Sequence, residues 1–157
     1  MTIKSSGFII LQLPLTSDNK AFIYQTFGIT QYIFYDERFP TSTLKNDEFD
    51  KFDKKYYDQI REKCLKIKNA EVSFTIDEFI FLSKTIDFVS KCFIGEPKEK
   101  LQNIFNEDFK GEYDFNLMKD WYLLMSSKFF KEFRASCKNK EIRDRISKEL
   151  EWDINIW

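Results

Sequence analysis

Glu107, Asp108, Glu112 and Asp114 crowd around Gly111, and four carboxylates so close together are the first place to look for chemistry. Clustered oxygens serve two purposes. They can coordinate a hard cation such as calcium or magnesium, or they can present a negative potential that steers and registers a basic partner. Their spacing does not follow the calcium-loop pattern of an EF-hand, so no metal site is expected from them. An ordinary solvated loop is the third reading. Residues 71–120 hold 11 acidic against 6 basic side chains although the whole chain carries only −1. That local excess makes docking of a basic protein the stronger functional expectation.

The opposite charge gathers further on. Lys128, Lys131, Arg134 and Lys138 recur at three- and four-residue steps, and Lys140, Arg143, Arg145 and Lys148 extend the positive character. Phosphate contacts from such a stripe could hold nucleic acid. Phe129, Phe130 and Phe133 are interleaved at core-like spacing and do not form a stacking platform, which favours a solvated helix face. A nucleic-acid accessory role is therefore the alternative reading. Asp36, Glu37 and Arg38, after a predicted strand, offer too few common residues to mark a metal-dependent nuclease. A carboxylate-metal hydrolase is less favoured still.

What is missing matters as much. The chain has no His, which removes the commonest general base at neutral pH, the Ser-His and Cys-His pairs, and imidazole zinc sites. Ser83 and Ser90 have no base beside them in sequence, and their seven-residue spacing reads as close packing against a neighbouring backbone. With only 4 Gly there is no Gly-rich phosphate loop, so no nucleotide or other cofactor is expected. Cys64, Cys92 and Cys137 are isolated and odd in number, which predicts free thiols in a reducing compartment. No leader is recognisable in the first thirty residues and no run reaches membrane-spanning length, so a cytoplasmic protein without a membrane partner is expected.

The elements that must position these residues are best defined at 74–95. Thr75 and Glu78 form a capping box, Phe74 and Phe79 a hydrophobic staple, and Gly95 with Pro97 a left-handed stop. They predict a helix over 76–94. Ile76, Phe79, Ile80, Ile86, Val89 and Phe93 recur at helical spacing, and Phe81, Leu82, Phe88 and Cys92 widen the apolar arc, so this helix is central and buried.

Ahead of it, residues 7–13 read as a strand ended by Pro14. Ala21–Phe27 and Thr30–Tyr35, rich in β-branched and aromatic residues, read as two more, completing an N-terminal antiparallel meander. A helix capped at Ser17 or Asp18 is the alternative there. Asn46 to Lys68 reads as an amphipathic helix, and Glu71–Phe74 as a brief strand. Helices are also predicted from Pro97 to Asn106, from Phe115 to Ser136 with Met118, Trp121, Tyr122, Met125, Phe129 and Phe133 inward, and from Lys140 to Glu151. Trp152 to Trp157 alternates like an edge strand of the N-terminal sheet.

The sum is one α+β domain over residues 1–157: a small antiparallel sheet on four or five helices. At 157 residues, 43% hydrophobic and 18% aromatic, the chain has material for a full core. Lacking catalytic His and rich in aromatics, it reads as a non-catalytic protein-binding module. The concrete form of that expectation is an inhibitor of the immunity-protein or antitoxin kind, masking a basic partner such as a toxin nuclease.

Overall fold

The computed structural model describes residues 10–14, 17–35, 54–65, 71–95, 98–110, 112 and 114–157. In chain order these form β1 (Ile10–Pro14), α1 (Ser17–Tyr35), α2 (Lys54–Leu65), β2 (Glu71–Thr75), α3 (Ile76–Ile94), α4 (Lys98–Phe109), α5 (Phe115–Ser136), α6 (Lys140–Leu150) and a 3-10 turn, Ile154–Ile156.

Helix α3 has the predicted bounds and the predicted start. The Thr75 hydroxyl accepts from the Glu78 amide, and the Glu78 carboxylate accepts from the Thr75 amide, both at 3.1 Å. Lys63 of α2 adds an ion pair to the same Glu78 oxygen at 2.6 Å. Because its apolar residues surround most of the helix, α3 is packed from several sides and touches every other described helix and both strands. Its end differs from expectation: Gly95 is extended (φ −95°, ψ −162°), not left-handed, and its N–H closes the last turn on the Lys91 carbonyl at 2.7 Å.

The α+β class does not hold, because helices make up most of the described chain. Ala21–Phe27 and Thr30–Tyr35, predicted as two strands, belong to the single helix α1. Phe22, Ile23, Thr26, Phe27 and Thr30 are buried at successive steps of one and three, a helical stripe that the β-branched content concealed. The two threonines fit because their hydroxyls donate to carbonyls four residues back, Thr26 to Phe22 at 2.9 Å and Thr30 to Thr26 at 2.7 Å. Among the described residues the strand pairing is that of β1 with β2, antiparallel from Ile10 opposite Thr75 to Pro14 opposite Glu71. The first strand thus joins the lead into α3, not an N-terminal meander.

The C-terminal tail does not extend a sheet either. The Asp153 side chain accepts from the Asn155 amide at 2.9 Å and turns the backbone. Trp152 and Trp157 then lie against each other, with ring centroids 5.5 Å apart, beside Phe130 and Phe133 of α5. The predicted loop at 39–46, the start of the helix predicted from Asn46, and Asp36, Glu37 and Arg38 lie outside the described residues.

Helices α1, α3 and α5 share an aromatic core. Phe79 stacks on Phe133 with centroids 4.0 Å apart, Phe93 meets Tyr122 at 5.4 Å and Phe115 at 5.5 Å, and Phe22 meets Tyr122 at 5.0 Å. These rings fix the rotation of α5 about its axis, and with it the face that α5 turns outward.

Candidate functional site

Asp114 starts α5: its carboxylate accepts from the amides of Asn116 at 2.9 Å and Leu117 at 3.3 Å. Phe115, Tyr122, Met125, Phe129 and Phe133 form the buried face. With 3.6 residues per turn, a line about 120° around the helix from that face runs through Leu117, Trp121, Leu124, Lys128 and Lys131. Its first three members make an apolar stripe in solvent, with Leu117 and Leu124 each 68% exposed and Trp121 36%. Trp121 was expected inward; one residue before the buried Tyr122, it is rotated by about 100° out of the core.

At the start of this stripe lies the acidic corner. Helix α4 continues to Phe109, a turn beyond its expected end at Asn106, so Glu107 and Asp108 occupy its last turn and not a loop. Lys110 adopts the left-handed conformation (φ 52°) and the Glu112 amide donates to the Phe109 carbonyl at 2.9 Å, which turns the chain tightly towards α5. Glu107, Asp108, Glu112 and Asp114 are all exposed, and Phe109 beside them is 38% exposed. Among the described residues no group of three acidic or thiol side chains is placed to hold a metal ion.

No protein family, curated protein or solved structure matches this chain. Its function has to be read from its own geometry.

The basic residues do not share one line. Each three-residue step along a helix falls about 60° short of a full turn, so Lys128 and Arg134 point about 120° apart. Arg134 is half-buried with its guanidinium 5.7 Å from the Trp152 ring centre. Lys128 and Lys131 are exposed on the outer face of α5, and Lys138 follows the end of that helix.

Ser83 and Ser90 both face the same space beside α3. Together with Ser126 and Ser127 they line an open groove of about 560 Å³ between α3, α5 and the end of α6. The Ser83 hydroxyl has no hydrogen-bond partner, and that of Ser90 donates to the Ile86 carbonyl of its own helix at 2.9 Å. Neither is activated as a nucleophile, which needs a base within hydrogen-bond reach. A smaller apolar cleft of about 320 Å³ lies among Gly28, Ile29, Phe93, Leu101, Phe105 and Met118.

The described thiols are no better placed for attack. Cys92 and Cys137 are free and buried. Burial pushes the Cys92 thiol up to about 12, and burial also raises Cys137, against the opposing pull of Arg143. Among the described residues no helix is long and apolar enough to cross a membrane.

The acidic corner was legible as a cluster, whereas the apolar stripe was missed. Its signal was available. Leu117 and Leu124 sit seven apart, as do Met118 and Met125, so α5 carries two apolar lines where one core-facing line suffices.

Proposed function

We propose that this protein is a non-catalytic, cytoplasmic protein-binding module of the immunity-protein or antitoxin kind, which masks a basic partner such as a nuclease toxin at the α4–α5 corner. The observation that carries this reading is the exposure of Leu117 and Phe109 next to four exposed carboxylates. Apolar anchors inside a charged rim are what a specific interface requires, since the rim steers encounter and the anchors supply most of the binding energy.

The test is parallel isolation of three tagged forms from the native host: the unaltered chain, a charge-reversed form (Glu107→Lys, Asp108→Lys, Glu112→Lys), and Leu117→Asp. Asp114 is left intact because it caps α5. A basic protein is expected with the first and absent from the other two. Retention of the partner by both variants would move the contact elsewhere and refute the assignment. Recovery of nucleic acid that disappears on Lys128→Glu and Lys131→Glu would support the accessory-protein reading instead.

A further inference from the structure

The outer face of α5 has an ordered polarity. Asp114 lies at its N-terminal end, Leu117, Trp121 and Leu124 in the middle, and Lys128 and Lys131 towards its C-terminal end. We infer that this face is also a self-association surface, on which a second copy of the chain lays its own α5 antiparallel.

The stripe is self-complementary under a two-fold axis. With the axis passing midway between positions 121 and 124, Trp121 of each copy packs on Leu124 of the other. Asp114 and Lys131 lie equally far from the axis in opposite directions, about 13 Å at 1.5 Å per residue, so the carboxylate at one end faces the lysine of the second copy. Leu117 and Lys128 are related in the same way, which lays the lysine's methylene stem over an otherwise exposed leucine. A parallel arrangement sets carboxylate against carboxylate and lysine against lysine, and it aligns the helix dipoles unfavourably.

One helix pair buries well under the roughly 1,600 Å² of a standard stable interface, so the association is concentration-dependent and not permanent. The contact shares the α5 face with the reading above and supplies it with a competitor. Lys128 and Lys131 of the second copy approach Asp114, at the edge of the corner assigned to a basic partner, so dimer formation and partner binding exclude one another.

Sedimentation velocity and light scattering on the full chain at micromolar concentrations test this. The expected species has twice the 19.0 kDa chain mass and dissociates on dilution. Leu124→Lys, at a position that is 68% exposed, is expected to preserve the helical circular dichroism spectrum and to raise the dimer dissociation constant roughly a hundredfold, because a two-fold contact feels each change twice. Lys131→Glu is expected to weaken the dimer by about tenfold. The chain mass at every concentration, or a dimer that Leu124→Lys leaves intact, overturns the inference. A monomer that still captures a basic protein removes only the dimer; a Leu124-dependent dimer that captures nothing removes only the inhibitor reading.

Discussion

Thr26 and Tyr122 form a buried hydroxyl pair, oxygen to oxygen 2.8 Å, and the structure determines which of them donates. Thr26 has one proton, and it goes to the Phe22 carbonyl at 2.9 Å. Tyr122 must therefore be the donor and Thr26 the acceptor. The two deletions are then unequal. Tyr122→Phe removes a donor and leaves Thr26 bonded to its carbonyl, at a cost of about 1 kcal/mol, the net worth of a neutral hydrogen bond. Thr26→Val strands the Tyr122 hydroxyl where the residue is 0% exposed, and an orphaned buried donor costs about 2 to 3 kcal/mol. The Phe22 carbonyl keeps its helical bond in either case. Combining the two makes the site apolar on both sides, so the double variant is expected to lose only about 1 kcal/mol, a coupling of about 2 to 3 kcal/mol. Urea unfolding followed by circular dichroism measures all three free energies. Thermal midpoints should fall by roughly 3 °C per kcal/mol for a chain of 157 residues. Equal costs for the single variants, or a double variant equal to their sum, would refute the donor assignment.

Other outcomes follow from the same packing. Cys92 is protonated in the folded chain until about pH 12 but ionises from its ordinary 9.0 when unfolded. Above pH 9 the unfolded state therefore holds fewer protons and stability falls as pH rises, by up to ~4 kcal/mol across that window; Cys92→Ala should flatten this limb of a stability–pH profile relative to its own neutral value. Gly28 is an exposed position within α1 where an added Cβ meets nothing within 4 Å, so Gly28→Ala should stabilise by about 0.5–1 kcal/mol in urea. A loss there would mean that the cleft beside it depends on the missing methyl. The Trp157 indole donates to the Ser147 hydroxyl at 2.7 Å and its ring lies 5.3 Å from the Arg143 guanidinium, so Trp157→Phe should cost about 1–2 kcal/mol. An unchanged unfolding midpoint would show that the tail is not held by that contact.

Where the sequence was legible, several local signals coincided with the tertiary outcome. Thr75, Glu78 and Phe79 specify the start of α3 by hydrogen bonds and contacts that need no distant partner, so the bounds 76–94 could be read without a structure. Asn139 and Asp114 cap α6 and α5 by hydrogen bonds of the same local kind. The errors lie where intrinsic preference opposed packing. Phe22, Ile23, Phe27 and Ile29 favour strands in isolation, yet on a helix they turn one face to α3 and α5, and that burial outweighs a propensity difference of a few tenths of a kcal/mol per residue. In the tail, alternation of Trp152, Ile154 and Ile156 suggested one buried strand face. The pair that packs is Trp152 with Trp157, while Ile154 and Ile156 remain exposed. Two long-range aromatic contacts decided that, and no pattern of period two contains them.

The same reasoning explains why most of the aromatic abundance lies in the core and only Phe109 and Trp121 among the described large aromatics stand out at the surface. With 18 Phe in the chain, some aromatic anchors on an interface were a fair expectation. Yet Phe22, Phe79, Phe93, Phe115, Phe129 and Phe133 are almost wholly buried, and the most exposed apolar side chains of α5 are Leu117 and Leu124. The phenylalanines act on the candidate site from behind. By stacking across α1, α3 and α5 they hold α5 in one rotation, so the outward stripe is presented without a loop to order. A contact surface fixed in advance loses less conformational entropy on binding, and each exposed leucine contributes more of its burial energy to affinity. Composition reported the rings but not their side of the helix; the positions of Leu117 and Leu124 relative to Tyr122 did.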